Sequence, residues 1–304
     1  MKTKRPYIAG LSFALFFFAL LVASAQSGAA VGKGGRGADP SGTARPGEIA
    51  FDRRTHLAVG RPGGRGLHHI FLVNADGSAL RQLTWRGNAI QPAWSPNGRE
   101  IAFSNGSPRG DILIMSANGT QTRVVVRGYA SQPTFSPDGK RIAFGRPRTF
   151  TIWSVQKDGS HARKLLNNGE YPDWSPDGKH VAFVARDLNI YVANSSGGGR
   201  RQLTQDGGAF YPAWSPNGKQ VAYIDSGEGG WDLQVLNVSG GSSRLLASNV
   251  SGRVKPTWSP DGKQIAFVKF RPTRELLMTV SATGGRLKTV TRMIGGSNGV
   301  SWRR

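Results

Sequence analysis

The 304-residue chain has no cysteine. Disulfide frameworks, thiolate metal sites and cysteine nucleophiles are therefore excluded, and an exported fold would be held by its core alone. Acid is scarce as well, with 18 Asp and Glu against 40 Lys and Arg. Histidine is limited to His56, His68, His69, His161 and His180. The adjacent His68 and His69 would point to opposite faces of a strand, and the D-G pairs lack the spaced carboxylates of a calcium loop. No metal site and no cofactor are expected. Long apolar runs are missing except over residues 8–22, which follow Lys2, Lys4 and Arg5 and precede Ala23-Ser24-Ala25. That is the pattern of an export signal over residues 1–25, cleaved before Gln26, with an uncleaved anchor as the alternative. Fifteen apolar residues are short for a membrane span, so no transmembrane span is expected in the mature form.

Residues 26–47 are Gly, Ala and Ser without hydrophobic periodicity and predict a flexible tether. Without the three basic residues of the export segment the balance is 37 basic to 18 acidic, or +19. A field of that sign favours anionic partners, wall polymers among them, although no motif for specific nucleic-acid binding accompanies it. The strings at Asn118, Asn194, Asn237 and Asn249 are glycosylation acceptors in form only.

The dominant feature is a repeat. Five segments read W-S-P-N-G (94–98), F-S-P-D-G (135–139), W-S-P-D-G (174–178), W-S-P-N-G (214–218) and W-S-P-D-G (258–262), and a sixth begins at Ser301-Trp302. The aromatic anchors are 41, 39, 40, 44 and 44 residues apart, a period that suits one four-stranded blade each. In each turn Pro sets φ, Asp or Asn tolerates the next position, and Gly accepts φ > 0, giving a tight hairpin with a bulge. A second strand follows, such as Ile101-Ala102-Phe103, apolar on both faces and so covered on both. Its repeated Ala allows a neighbouring blade to approach closely. Third strands such as residues 70–73 run into A-D-G-S-type turns, and fourth strands such as L-R-Q-L-T (80–84), R-R-Q-L-T (200–204) and L-K-T-V-T (287–291) are expected to be short, basic edges. Residues 47–51 match a second strand without a first, which residues 298–302 would supply. The expectation is an all-β, six-bladed β-propeller over residues 48–304, its ring closed by pairing of N- and C-terminal strands in one blade.

The string Q-P-A-W-S-P-N-G-R-E-I-A-F, with I-F-L-V-N-A-D-G-S-A-L-R-Q-L-T before it, resembles the TolB-like (WD40-like) propeller repeat. The resemblance covers roughly residues 48–304. It implies a monomeric exported protein, periplasmic or otherwise associated with the cell envelope, that binds a protein partner there. TolB proteins are exported partners of an outer-membrane lipoprotein and carry an α/β domain ahead of the propeller, where this chain has the Gly-rich tether. The family's S-D-R after the second strand is replaced here by residues 104–109, 145–148 and 268–272.

A related propeller precedes the hydrolase domain of prolyl-oligopeptidase-type peptidases. One G-x-S-x-G string exists, at residues 295–299, but it lies in an interblade loop rather than between a strand and a helix. Ser297 is accordingly not expected to be a nucleophile, and no enzyme activity is expected.

In a propeller, turns between first and second and between third and fourth strands share one face. The remaining loops share the other. The repeated turns take up the first face, with Lys140, Lys179, Lys219 and Lys263 as solubilising charge. The second, variable face carries Arg61, Arg65, Arg86, Arg109, Arg146, Arg148, Arg186, Arg253, Arg271 and Arg274, whose planar forks suit carboxylates and phosphates. The slot before each repeated Pro holds Gln91, Gln132, Tyr171, Tyr211 and Lys255, with Asp173 two residues beyond Tyr171. These slots converge around the axis and differ from blade to blade, as a partner-binding ring would, although the tyrosines could equally plug the channel. Two further readings stay open: a lyase-like propeller enzyme using channel residues, and a binder of anionic wall polymers.

Overall fold

The S-P-[DN]-G box closes on itself. The Ser136 carbonyl accepts from Gly139 N–H at 2.8 Å, the Ser136 hydroxyl donates to Asp138 at 2.6 Å, and Asp138 in turn accepts from Lys140 N–H at 3.0 Å. The glycines that end the five turns have φ between 63° and 70°, the left-handed region that L side chains resist. The hydroxyls hold the carboxyls of Asp138, Asp177 and Asp261 below the usual carboxylate range.

The computed structural model describes residues 47–55, 67–106, 109–227, 229–271, 274–293 and 296–303. The expected export signal, the tether up to residue 46, His56, Arg61 and Arg65 lie outside the described residues. Twenty-four strands form six antiparallel four-stranded sheets. Blade 1 is β4 to β7 (Ile90–Trp94, Glu100–Ser104, Ile112–Ser116, Arg123–Val126). Blade 2 is β8 to β11 (Ser131–Phe135, Arg141–Arg146, Thr151–Gln156, Arg163–Asn167). Blade 3 is β12 to β15 (Glu170–Trp174, His180–Val184, Ile190–Asn194, Arg201–Gln202), and blade 4 is β16 to β19 (Ala209–Trp214, Gln220–Gly227, Gly230–Asn237, Arg244–Ser248). Blade 5 is β20 to β23 (Thr257–Trp258, Gln264–Arg271, Arg274–Ser281, Lys288–Met293). Blade 6 is composite: β24 (Val300–Trp302) pairs with β1 (Glu48–Arg54), followed by β2 (His68–Asn74) and β3 (Arg81–Gln82). Ile49 stands opposite Trp302 and Phe51 opposite Val300, so the two ends of the fold close the ring as the repeat predicts.

The core is six interblade clusters. In each, the fully buried Ala of one second strand meets the aliphatic and aromatic residues of the next. Ala50 packs with Ile101 and Phe103, Ala102 with Ile142 and Phe144, and Ala222 with Ile265 and Phe267. A larger side chain at those alanines would wedge the blades apart. One expectation needs correction. The basic fourth strand is two residues long in blades 6 and 3, but in blade 5 it spans six, while the innermost strand Thr257–Trp258 has only two. The chain before Thr257 leaves the sheet: Val250 makes an isolated bridge to Lys269, and Lys255 turns toward blade 3.

Candidate functional site: the channel mouth

Each innermost strand of blades 1 to 4 slips register just before its Pro, between Ile90 and Ala93, Ser131 and Thr134, Glu170 and Asp173, and Phe210 and Ala213. The residue at the slip is Gln91, Gln132, Tyr171 or Tyr211, with φ of 56°, 57°, 56° and 56°. A non-glycine left-handed residue is unfavourable by about 1–2 kcal/mol, and the same strain recurs in four blades. Such a bulge takes one N–H out of the ladder and re-aims one side chain.

The displaced N–H groups are satisfied by the preceding blade. Gln91 N–H donates to Asp52, Gln132 N–H to Gln91 Oε1 at 2.9 Å, and Tyr171 N–H to Gln132 Oε1 at 3.2 Å. Gln91 and Gln132 therefore tie blades together. The sixth slot is Gly299, where a Cβ would stand 2.5 Å from Gln91 Cα, so the final strand can abut blade 1 only without a side chain.

Deeper in the channel, Lys255 of blade 5 forms an ion pair with Asp173 of blade 3, passing the small Ala213 of blade 4. Asp173 also accepts from Trp214 N–H at 2.8 Å and from the Thr134 hydroxyl at 3.3 Å. Hydroxyls at the same level serve the same purpose elsewhere: Ser301 accepts from Trp94 N–H and Thr257 from Trp302 N–H. A cavity of about 110 Å³ lies at this level.

The tyrosines differ from the glutamines. Their rings stand 4.4 Å apart edge to face, and Phe210 and Trp231 extend the aromatic surface outward. Burial pushes the Tyr171 phenol well up and the Tyr211 phenol up to about 12. Beside them Glu170, 9 % exposed, is pushed up to about 7 by burial, against the smaller opposing pull of Arg186. Across the mouth the Glu275 carboxyl, raised by burial, accepts from Ser297 N–H at 2.9 Å.

Sequence reasoning missed Glu170 and a second cluster, in which fully buried Asp52 pairs with His68 Nδ1 at 2.7 Å and accepts from the main chain and amide of Asn298. Both had a signal. Glu170 is the only ionisable residue just before a ring slot, and Asp52 the only acid directly after an I/V-A-F/Y triplet. His69, on the opposite side of the strand, has a pKa lowered by burial. The Ser297 hydroxyl donates to Gly299 O at 3.2 Å and, among the described residues, makes no hydrogen bond to a histidine, while Gly295 lies outside the described residues. On the variable face Arg148 stacks over Tyr129 at 4.2 Å, Arg146 over Trp153 at 5.1 Å and Arg186 over Phe150 at 4.8 Å. Lys140, Lys179, Lys219 and Lys263 are exposed on the opposite face.

A sequence model of the TolB beta propeller domain matches residues 148–302. Among solved structures, TolB from Acinetobacter baumannii superposes with a TM-score of 0.72 at 22 % identity, covering 84 % of this chain and 66 % of that one. The chain thus spans slightly less than two thirds of that protein's length. The putative TolB from Agrobacterium tumefaciens gives 0.65 at 20 % identity, covering 83 % and 90 %. A chain of the Nidogen/Laminin complex gives 0.65 at 15 %, covering 85 % and 99 %. At these identities the likeness is one of fold. No curated protein sequence matches the chain. With six four-stranded blades, five of them carrying the S-P-[DN]-G turn, a latched ring and the matched family model, this chain belongs to the TolB beta propeller domain family.

Proposed function

We propose that the protein is an exported scaffold that binds a protein partner at the cell envelope, through the variable-face mouth of its channel. One observation carries the reading: among the described residues the strongly exposed aromatic side chains lie on the variable face. On the constant face the turn carboxylates are consumed internally by serine hydroxyls and turn N–H groups, and Glu48 and Glu100 by Arg81 and Lys157. The variable face presents Trp85 at 73 % and Phe270 at 56 % exposure, with Leu67 and Leu188, and it also carries the Tyr171–Tyr211 pair and the stacked arginines. Exposed aromatics and arginines are the residues that dominate binding energetics in interfaces. Within the ring, the partner-facing role falls to Tyr171 and Tyr211. Gln91, Gln132, Asp173 and Lys255 shape and stiffen the mouth.

Tyr171→Ala combined with Tyr211→Ala tests this. Partner capture from envelope extract should fall at least tenfold, with the melting transition still cooperative. Capture unchanged by the double variant would overturn the reading. The stacked arginines also suit an anionic wall polymer. Binding by that route would weaken steeply with salt, whereas the aromatic mouth would not.

A further inference from the structure

Glu170 stands out among the groups of the mouth. It is nine-tenths buried, and among the described residues its carboxyl oxygens have neither a hydrogen bond nor an ion pair. It lies close enough to the Tyr171 and Tyr211 phenols to raise both their pKa values. The one cation acting on it, Arg186, is committed elsewhere: Arg186 Nε donates to Asn168 at 3.0 Å and the guanidinium covers Phe150. A carboxylate so largely removed from water, with no direct partner among the described residues, is held at a cost. It is a natural complement for a cation that arrives from outside.

The surroundings point the same way. In a chain with an excess of basic residues, blade 4 and the connection leading into it place Asp206, Asp225 and Asp232 near one another, and the Asp225 carboxyl is raised first by burial and then by the other two. Asp225 lies at the variable-face end of β17 and Asp232 at the facing end of β18, next to Trp231, which packs on Phe210 and so on the tyrosine pair. Against the repulsion of Arg186 and Arg253 beside it, this cluster of carboxyls gives a basic ligand more attraction than the strongly basic remainder of the chain. The aromatic rings add a surface for the methylenes and charge of a long cationic side chain.

We propose that the mouth seats one basic side chain of the partner, a lysine or arginine, with its charge on the Glu170 carboxylate and its stem against Tyr171 and Tyr211. This rests on the reading that the variable-face mouth takes the partner, and names the group it takes. A neutral donor could bond either protonation state of Glu170, but a cation binds the carboxylate only. Binding should therefore release a proton.

The test uses the protein labelled with carboxyl-¹³C glutamate, with Glu170→Gln identifying the resonance. The free carboxyl should titrate near its raised value of about 7. Tens of millimolar acetyl-lysine methylamide or acetyl-arginine methylamide should lower that midpoint by about one unit, a roughly tenfold preference for the carboxylate. Acetyl-norleucine methylamide should leave it in place. A midpoint unmoved by both cationic probes, or equal affinity of Glu170→Gln for them, overturns the proposal. If Glu170→Gln also captures partner as well as the parent while the tyrosine double variant does not, the basic anchor falls and the mouth as a partner site stands.

Discussion

Removing residues 298–304 should abolish the cooperative fold, because it deletes the innermost strand of the composite blade. Three ladder pairs are lost, Ile49 with Trp302, Ala50 with Ser301 and Phe51 with Val300. So are two buried side chains, Val300 and Trp302, from the cluster that joins blades 5 and 6. Truncating a buried Trp alone is worth about 3–5 kcal/mol, and burying a Val another 1.5–3 kcal/mol or so. Asp52, fully buried, would also lose both donors of Asn298. The sum approaches the roughly 5–15 kcal/mol that holds a whole domain together. In urea unfolding followed by tryptophan fluorescence, the truncated protein should show no sharp transition. The milder Trp302→Ala should keep one, shifted down by about 1 M or more at an m value near 3 kcal/mol/M. A truncated protein with the parent's midpoint would refute ring closure through this blade.

Three further outcomes follow from the site. Glu170 is a carboxyl with a raised folded-state pKa, so the native state holds its proton longer than the unfolded chain, and stability is lost as pH rises from about 4.5 to about 7. Glu170→Gln should then be near neutral at pH 4 and stabilising by roughly 2–3 kcal/mol at pH 8, measured by denaturation at both pH values. No gain at pH 8 would mean that the carboxylate is solvated. Lys255→Met and Asp173→Asn should show a coupling of about 1–3 kcal/mol in a double-mutant cycle, and additive effects would mean that the pair across Ala213 does not form. Ser297→Ala should change no esterase or peptidase assay, since the hydroxyl is spent on Gly299 O and no base among the described residues is hydrogen-bonded to it. An activity abolished by that change would contradict the non-enzymatic reading.

The fold was legible because its determinants are local and repeated. The S-P-D-G box fixes its own turn with bonds spanning two to five residues, and the I/V-A-F/Y strand carries its packing partner in the next copy. The composite blade could be deduced by counting strands. The ring slots were visible as variable residues before a Pro repeated in five blades, yet their division of labour was not. Nothing at Gln91 or Gln132 distinguishes a ligand contact from a tie to the next blade's N–H, which depends on a left-handed bulge that the sequence does not announce. The contact of Asp52 with Asn298 spans 246 residues and exists only once the ring is closed. Glu170 was overlooked for a similar reason: a glutamate at a strand start reads as solvent-facing until two aromatic blades close over it. Blade 5 departs because Lys255 is drawn to Asp173, so the run before Thr257 leaves the ladder.

The claim that a partner docks on the variable-face mouth is tested most directly by photo-crosslinking in the intact envelope. A benzophenone side chain at Arg186, on the rim of that mouth, is compared with one at Lys179, on the constant face of the same blade. The account predicts a discrete covalent protein adduct from position 186, lost when Tyr171 and Tyr211 are both alanine, and none from position 179. The same adduct from 179, or an adduct from 186 that ignores the tyrosines, would contradict it.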